Sequence, residues 1–167
     1  MKALYVFAPV IAAMAAVAIP TAPSHHPRPD IEALGQLVGE WQTDTVGGVS
    51  ARSSCAWTAW RLAVLCEQRI DGLPGTPTAL NFFTADAAGT GFALYVLSRS
   101  GSVITPIAIV MNGAEWRYGG SSQASDGRWY RTVNDFRNPD SYTWRQETSL
   151  DGKQWTAGPH GRSRRIR

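Results

Sequence analysis

Histidine is scarce in this chain: there are three in 167 residues, two adjacent at His25 and His26 and the third, His160, alone between Pro159 and Gly161. A hydrolase triad therefore lacks a base held beside a serine, and no Gly-x-Ser-x-Gly elbow is present to present one. Zinc lacks ligands for the same reason: no HExxH pattern occurs, and adjacent His25 and His26 offer too few converging donors for more than weak metal binding. Charge is sparse too, at 17% of residues, against about a quarter in ordinary globular domains. The net charge of +3 gathers at Arg162, Arg164, Arg165 and Arg167 and not along a recurring basic stripe, which points away from a nucleic-acid partner. Glu40, Glu67, Glu115 and Glu147 fall in separate segments with no readable pairing for acid–base work. The sequence gives no positive sign of an enzyme, a metal or a cofactor.

Long apolar runs are scarce as well. One extends from Ala3 to Ile19 behind Lys2, uncharged and interrupted by Pro9. It is shorter than the roughly 20 apolar residues that span a bilayer, and a polar, proline-rich stretch follows it. Residues 1–18 read as a signal peptide ending in the small-x-small pattern Ala16-Val17-Ala18; cleavage after Ala22 would set Pro23 at the scissile bond. No lipid-accepting cysteine follows. Residues 19–29 read as a proline-rich linker and 30–167 as one domain, placed in the periplasm or outside the cell with no membrane span in its mature form.

In an oxidising compartment an even pair of cysteines more often forms a bridge than serves catalysis. Cys55 and Cys66 are therefore expected to form a disulfide, the alternative being a redox dithiol whose usual C-x-x-C spacing is absent. They lie symmetrically about Trp60-Arg61, so an antiparallel hairpin there sets them opposite one another.

Asp30 is placed to cap a short helix with apolar residues Ile31, Leu34, Leu37 and Val38 at spacings of three and four. Beyond Gly39 that period vanishes. Short segments rich in aromatic and β-branched residues follow, each stopped by Gly, Asn, Asp or Ser. Strands are expected at 40–45, 50–58, 62–70, 78–84, 90–98, 102–111, 114–118, 128–137, 141–149 and 153–166. Between them lie Asp71-Gly72, Ala88-Gly89, Ser100-Gly101, Asn112-Gly113, Asp126-Gly127 and Asp151-Gly152, dipeptides suited to hairpins. An antiparallel meander of roughly ten strands loses its edges by closing into a barrel. A two-sheet sandwich is the alternative.

Three motifs carry a resemblance: Gly39-Glu40-Trp41 after the short helix, the segment from Cys55-Ala56-Trp57 to Cys66, and Ser149-Leu-Asp-Gly-Lys-Gln-Trp155. In their order and spacing the chain resembles the uncharacterised bacterial lipocalin-like (calycin) β-barrel proteins, over residues 32–165. The resemblance implies a barrel closed at one end by the Gly-x-Trp segment and small-ligand binding, with no catalytic residues handed over. Some calycin-like barrels hold haem through a histidine late in the chain; His160 is late, but the residues around it do not match, and haem is not expected. Physically, Gly39 lets the chain turn out of the helix and Trp41 plugs the barrel floor. Arg162 or Arg164 is positioned by sequence to stack on that indole and bond nearby carbonyls.

If the segments either side of Asn138-Pro139-Asp140 pair, Arg131 falls opposite Glu147, while Tyr130, Asn134, Phe136, Tyr142, Trp144 and Gln146 share the other face. The ionic face is expected to meet water. The aromatic face, with Trp116 and Tyr118 alternating likewise, is expected to line a largely apolar cavity with a few hydrogen-bonding groups. A core filled by side chains is the alternative. Segments 78–84, 90–98 and 102–111 carry apolar residues on both faces, so their outer face needs a cover: the N-terminal helix, or a second copy in a homodimer. The function expected is export and binding of a small, mostly apolar molecule. The alternative is an envelope interaction or structural module with a filled barrel and an apolar docking surface.

Overall fold

The computed structural model describes residues 29–45, 50–70, 79–98 and 106–166. The expected leader, the linker before Pro29, His25, His26, Asp71-Gly72 and Ser100-Gly101 lie outside them. Asp30 accepts the Glu32 amide at 3.1 Å and opens a 3-10 helix over Ile31–Leu37, whose Leu34 and Leu37 are buried.

Ten strands follow: β1 Gly39–Thr45, β2 Ser50–Trp57, β3 Ala63–Ile70, β4 Ala79–Ala85, β5 Phe92–Ser98, β6 Ile107–Asn112, β7 Glu115–Gln123, β8 Trp129–Asn138, β9 Ser141–Ser149 and β10 Thr156–Ile166. Each pairs antiparallel with the next, and β1 pairs with β10, so the sheet is a closed barrel. Closure excludes the sandwich and leaves no edge strand. β10 begins three residues later than expected because the Asp151 side chain accepts the Lys153 and Gln154 amides at 2.8 Å each, folding that stretch into a turn. β7 runs on to Gln123, past an irregularity between Gly119 and Gln123.

Cys55 and Cys66 are paired opposite one another on β2 and β3 and joined as a disulfide, with Cα atoms 4.0 Å apart. Both sulfurs belong to the buried core.

The helix end of the barrel is sealed around Trp41, which is 2% exposed. Its Nε1 donates to the Leu37 carbonyl at 2.7 Å, and a guanidinium lies 4.4 Å from its ring centroid. That guanidinium is Arg165, not Arg162 or Arg164. The β1–β10 register sets Arg165 opposite Trp41, so alternation turns its neighbours to the other face. Arg164 pairs with Asp44 at 2.7 Å and Arg162 donates to Ser141 Oγ at 3.0 Å, both from exposed positions. Arg165 donates to the carbonyls of Val38, Gln36 and Pro139, tying the helix exit to the β8–β9 turn. Gly39 sits at φ 129°, a conformation that a side chain would strain, and a Cβ there would also push the Arg165 guanidinium aside.

The N-terminal helix packs over this end of the barrel, with Leu34 and Leu37 joining the same core as Trp41. It does not cover the outer face of β4 and β5, where Leu65, Leu80, Phe82, Tyr95 and Leu97 line an open groove of about 500 Å³. The reason is length: the helix is seven residues long and is spent on closing the end.

Candidate ligand cavity

Inward-facing residues of β7, β8 and β9 meet in rows set by register. Trp116, Asn134 and Trp144 are aligned across the three strands, and Tyr118, Thr132 and Gln146 form the next row toward the open end. From Trp116 in the first row downward the interior is filled by rings: Trp116 and Phe136 lie 4.7 Å apart between centroids, Phe136 and Tyr142 4.6 Å, and Tyr142 and Trp41 5.1 Å. Such offset and edge contacts contribute beyond area burial alone. The Tyr142 hydroxyl bonds Ser163 and Thr43, yet burial still pushes the phenol above its ordinary pKa.

Above the Tyr118 row the filling stops. A cavity of about 710 Å³ opens there, with Leu94, Ile107 and Tyr118 on one side and Thr132, Gln146 and Thr148 on the other. The end of β7, Gly119 to Gln123, and the Gly158-Pro159 stretch of β10 complete its wall. The volume falls within the range of ordinary small-molecule sites.

The eight residues expected to line the pocket are thus split by depth. Tyr118, Tyr130 and Gln146 line it. Trp116, Phe136 and Tyr142 do not: they belong to the packed floor, because the helix and Trp41 seal that end and ring contacts consume the space. Tyr130 is 46% exposed at the rim and donates to Asp126 Oδ2 at 2.5 Å, so it borders the entrance and is not an inner contact. Asn134 and Trp144 sit one row below the lining, opposite one another. Leu94, Ile107, Thr132 and Thr148 were not among the expected lining residues. Thr132 was legible from alternation with Tyr130 and Asn134; Leu94 and Ile107 were hidden in segments apolar on both faces.

Asn134 and Trp144 leave polar atoms without partners. Asn134 Nδ2 donates to the Tyr118 hydroxyl at 3.5 Å, while Asn134 Oδ1 and Trp144 Nε1 are buried with no hydrogen-bond partner. Turning the amide over only moves the deficit, since one of its two polar atoms still lacks a partner. Burial lifts the Tyr118 phenol well above its ordinary pKa, so it is a neutral hydroxyl at any physiological pH. Trp144 lies across Gly161 of β10, where a Cβ would come within 2.8 Å of the indole and would also strike the Asp44 carbonyl. Glycine at 161 makes room for that ring.

The ionic face does not meet water as expected. Arg131 does face Glu147, with a 2.5 Å contact, but the Glu147 side chain is only 9% exposed and takes a second arginine, Arg145, at 2.6 Å. Trp155, carried back by the β9–β10 turn, stacks 3.9 Å from the Arg131 guanidinium. This cover keeps most of the pair out of water. Val133, 1% exposed, is paired between Arg117 and Arg145 beside it, as long arginine stems can bury an apolar residue on an outer face. Burial pushes the Glu147 carboxyl up, but the two arginines outweigh it and hold the group below its ordinary value.

Among the described residues no group of three or more His, Cys, Asp or Glu converges as a metal site. His160 is exposed on β10. No helix among the described residues is long and apolar enough to cross a membrane.

No protein-family model matches the chain, and no curated protein matches it. Among solved structures it is similar to a de novo designed fluorescence-activating β-barrel, at 22% identity and TM-score 0.29, over 81% of this chain and 98% of that one.

Proposed function

We propose that the chain is an exported binding protein for a small, mostly apolar molecule held in the open half of the barrel. The observation that carries this reading is the cavity of about 710 Å³ above the Tyr118 row. Leu94, Ile107 and the Tyr118 ring offer it apolar wall, and Thr132, Gln146 and Thr148 a few neutral hydrogen-bonding groups, the usual make-up of a ligand site. The disulfide supports a periplasmic or secreted location. The lipocalin-like resemblance of the Gly39-Glu40-Trp41 and Ser149–Trp155 motifs supports the same activity, and we read the barrel as a carrier, not an enzyme. Titration with pyrene, a hydrocarbon without hydrogen-bonding groups, tests it: saturable quenching of tryptophan emission at one pyrene per chain is expected. Linear, non-saturating quenching, with no co-purified mass in native mass spectrometry, retires the reading.

A second reading rests on the outer groove between β3, β4 and β5, where Phe82 is 38% exposed and Leu97 36%. Exposed apolar surface of this kind suits an envelope docking or homodimer interface. Light scattering that gives a monomer mass across the micromolar range removes the homodimer.

A further inference from the structure

We infer that the ligand is a neutral ring compound with hydroxyl-like groups along one edge, its apolar side lying on β5 and β6 and its polar edge along β8 and β9. The inference rests on the binding reading above and names its ligand class. Register divides the cavity wall by strand. Leu94 and Ile107 are cross-strand partners on β5 and β6, and with Pro106 they make that side of the lining apolar. Thr132 and Gln146 are partners on β8 and β9, and Thr148 follows Gln146 on the same face, toward the mouth. These three line the other side, each with a neutral hydroxyl or amide. Tyr118 of β7, paired with Thr132, stands between the two sides.

The polar groups follow the wall and are not gathered at one point. Gln146 and Thr148 are two residues apart along β9, about 7 Å, and Thr132 lies one strand away from Gln146, about 4.8 Å. A linear chain with a single polar end meets one of these positions and lays methylenes over the others, removing their water without replacing it. A rigid ring system with groups on one long edge meets two at once and keeps its other edge on Leu94 and Ile107. Hydroxyls and a primary amide both donate and accept, so turning the Gln146 amide over leaves the match intact. Charge has no place in it. Among the described residues, Arg131 and Glu147 are the charged groups bordering the cavity, and each is already held: Arg131 by Glu147 and the Trp155 ring, Glu147 by Arg145 as well. An ionic ligand would leave water with no free counter-ion to meet.

The test is a series on one ring skeleton. 2,7-Dihydroxynaphthalene carries both hydroxyls on one long edge, at about the spacing of two strand residues; its 2,6 isomer has the same atoms with one hydroxyl on each edge; naphthalene-2,7-disulfonate keeps the edge and adds charge. In calorimetric titrations of the mature protein at pH 7, the 2,7-diol is expected to bind about fivefold or more tightly than the 2,6-diol, and about tenfold or more tightly than the disulfonate. The double variant Gln146→Leu with Thr148→Val is expected to bring the two diols within about twofold of one another while pyrene affinity is kept. The wild-type series stands even if that variant fails to fold. Equal affinities for the two diols, with pyrene still bound, overturn the edge inference alone, as does a disulfonate that binds as tightly as the 2,7-diol. A preference that survives the double variant unchanged also overturns it. No binding of pyrene or of any naphthalene removes the binding reading, and this inference with it.

Discussion

In the closed half of the barrel Trp41, Tyr142, Phe136 and Trp116 touch ring to ring under a helix that contributes Leu34 and Leu37. In the open half the same inward faces of β7, β8 and β9 carry Tyr118, Thr132, Gln146 and Thr148, and among the described residues these border the cavity. Backbone and alternation are shared, so the difference lies in side-chain volume and in what covers the end. Four large rings and a seven-residue helix fill one end; among the described residues, threonine and glutamine border a cavity toward the other. Closure of the barrel and the holding of a cavity are thus separable, and substitutions in the two halves should have different signatures.

The largest effect is expected at Trp41. Trp41→Ala removes the floor ring, its hydrogen bond to Leu37 and the surface on which Arg165 stacks, at a cost of about 3–5 kcal/mol. Urea denaturation should show this as a large fall in the midpoint. Under conditions where the variant remains folded, pyrene affinity should stay within about twofold of wild type, because the cavity lies at the opposite end. A variant that keeps its stability but loses pyrene would show that the halves are not independent.

Next comes the bridge. Cys55 and Cys66 are 11 residues apart and sit in the closed-half core, so removing both as alanines should cost about 3 kcal/mol in the chain-entropy account. Reduction of the wild type should move the urea midpoint toward that of the double variant. A change below about 0.5 kcal/mol would mean that the adjacent β2–β3 pairing already holds the hairpin without the sulfurs.

Much of the closed half was legible in the sequence, because each of its signals is local. The helix shows in Ile31, Leu34 and Leu37, the plug in Gly39 and Trp41, the bridge in the symmetry of Cys55 and Cys66 about a turn. The Arg131–Glu147 register was legible for the same reason, from one short turn at Asn138–Asp140. What escaped depended on contacts distant in the chain. Arg165 was passed over for Arg162 and Arg164 because the parity of β10 is reset by a register shift between Ala157 and His160, which sequence spacing alone does not show. Trp116, Phe136 and Tyr142 were placed in the cavity because alternation reports the face of a residue and not its depth along the barrel axis. The cover that Trp155 lays over Arg131 comes from a turn whose path no periodicity encodes.

The smallest of the three effects is expected in the open half, at Glu147. Its carboxylate takes Arg131 at 2.5 Å and Arg145 at 2.6 Å from a nearly buried position. Hydrogen bonds to charged groups contribute about 1.5–3 kcal/mol; the partial exposure of both arginines, 19% and 39%, screens part of that. Glu147→Gln keeps the volume and removes the charge, so it should cost about 1–2 kcal/mol at pH 7, less than either closed-half change. The pH dependence fixes the mechanism. The folded carboxyl titrates below its ordinary value, so the unfolded chain takes up its proton first as the pH falls. The stabilisation is whole above the unfolded pKa of about 4.3 and drains away as the pH drops through the folded value. Urea midpoints of wild type and Glu147→Gln should therefore lie apart at pH 7 and converge below pH 4. A gap that persists unchanged at acid pH would assign the loss to packing beneath Trp155, and the ion pair would then contribute nothing to the wall of the open half.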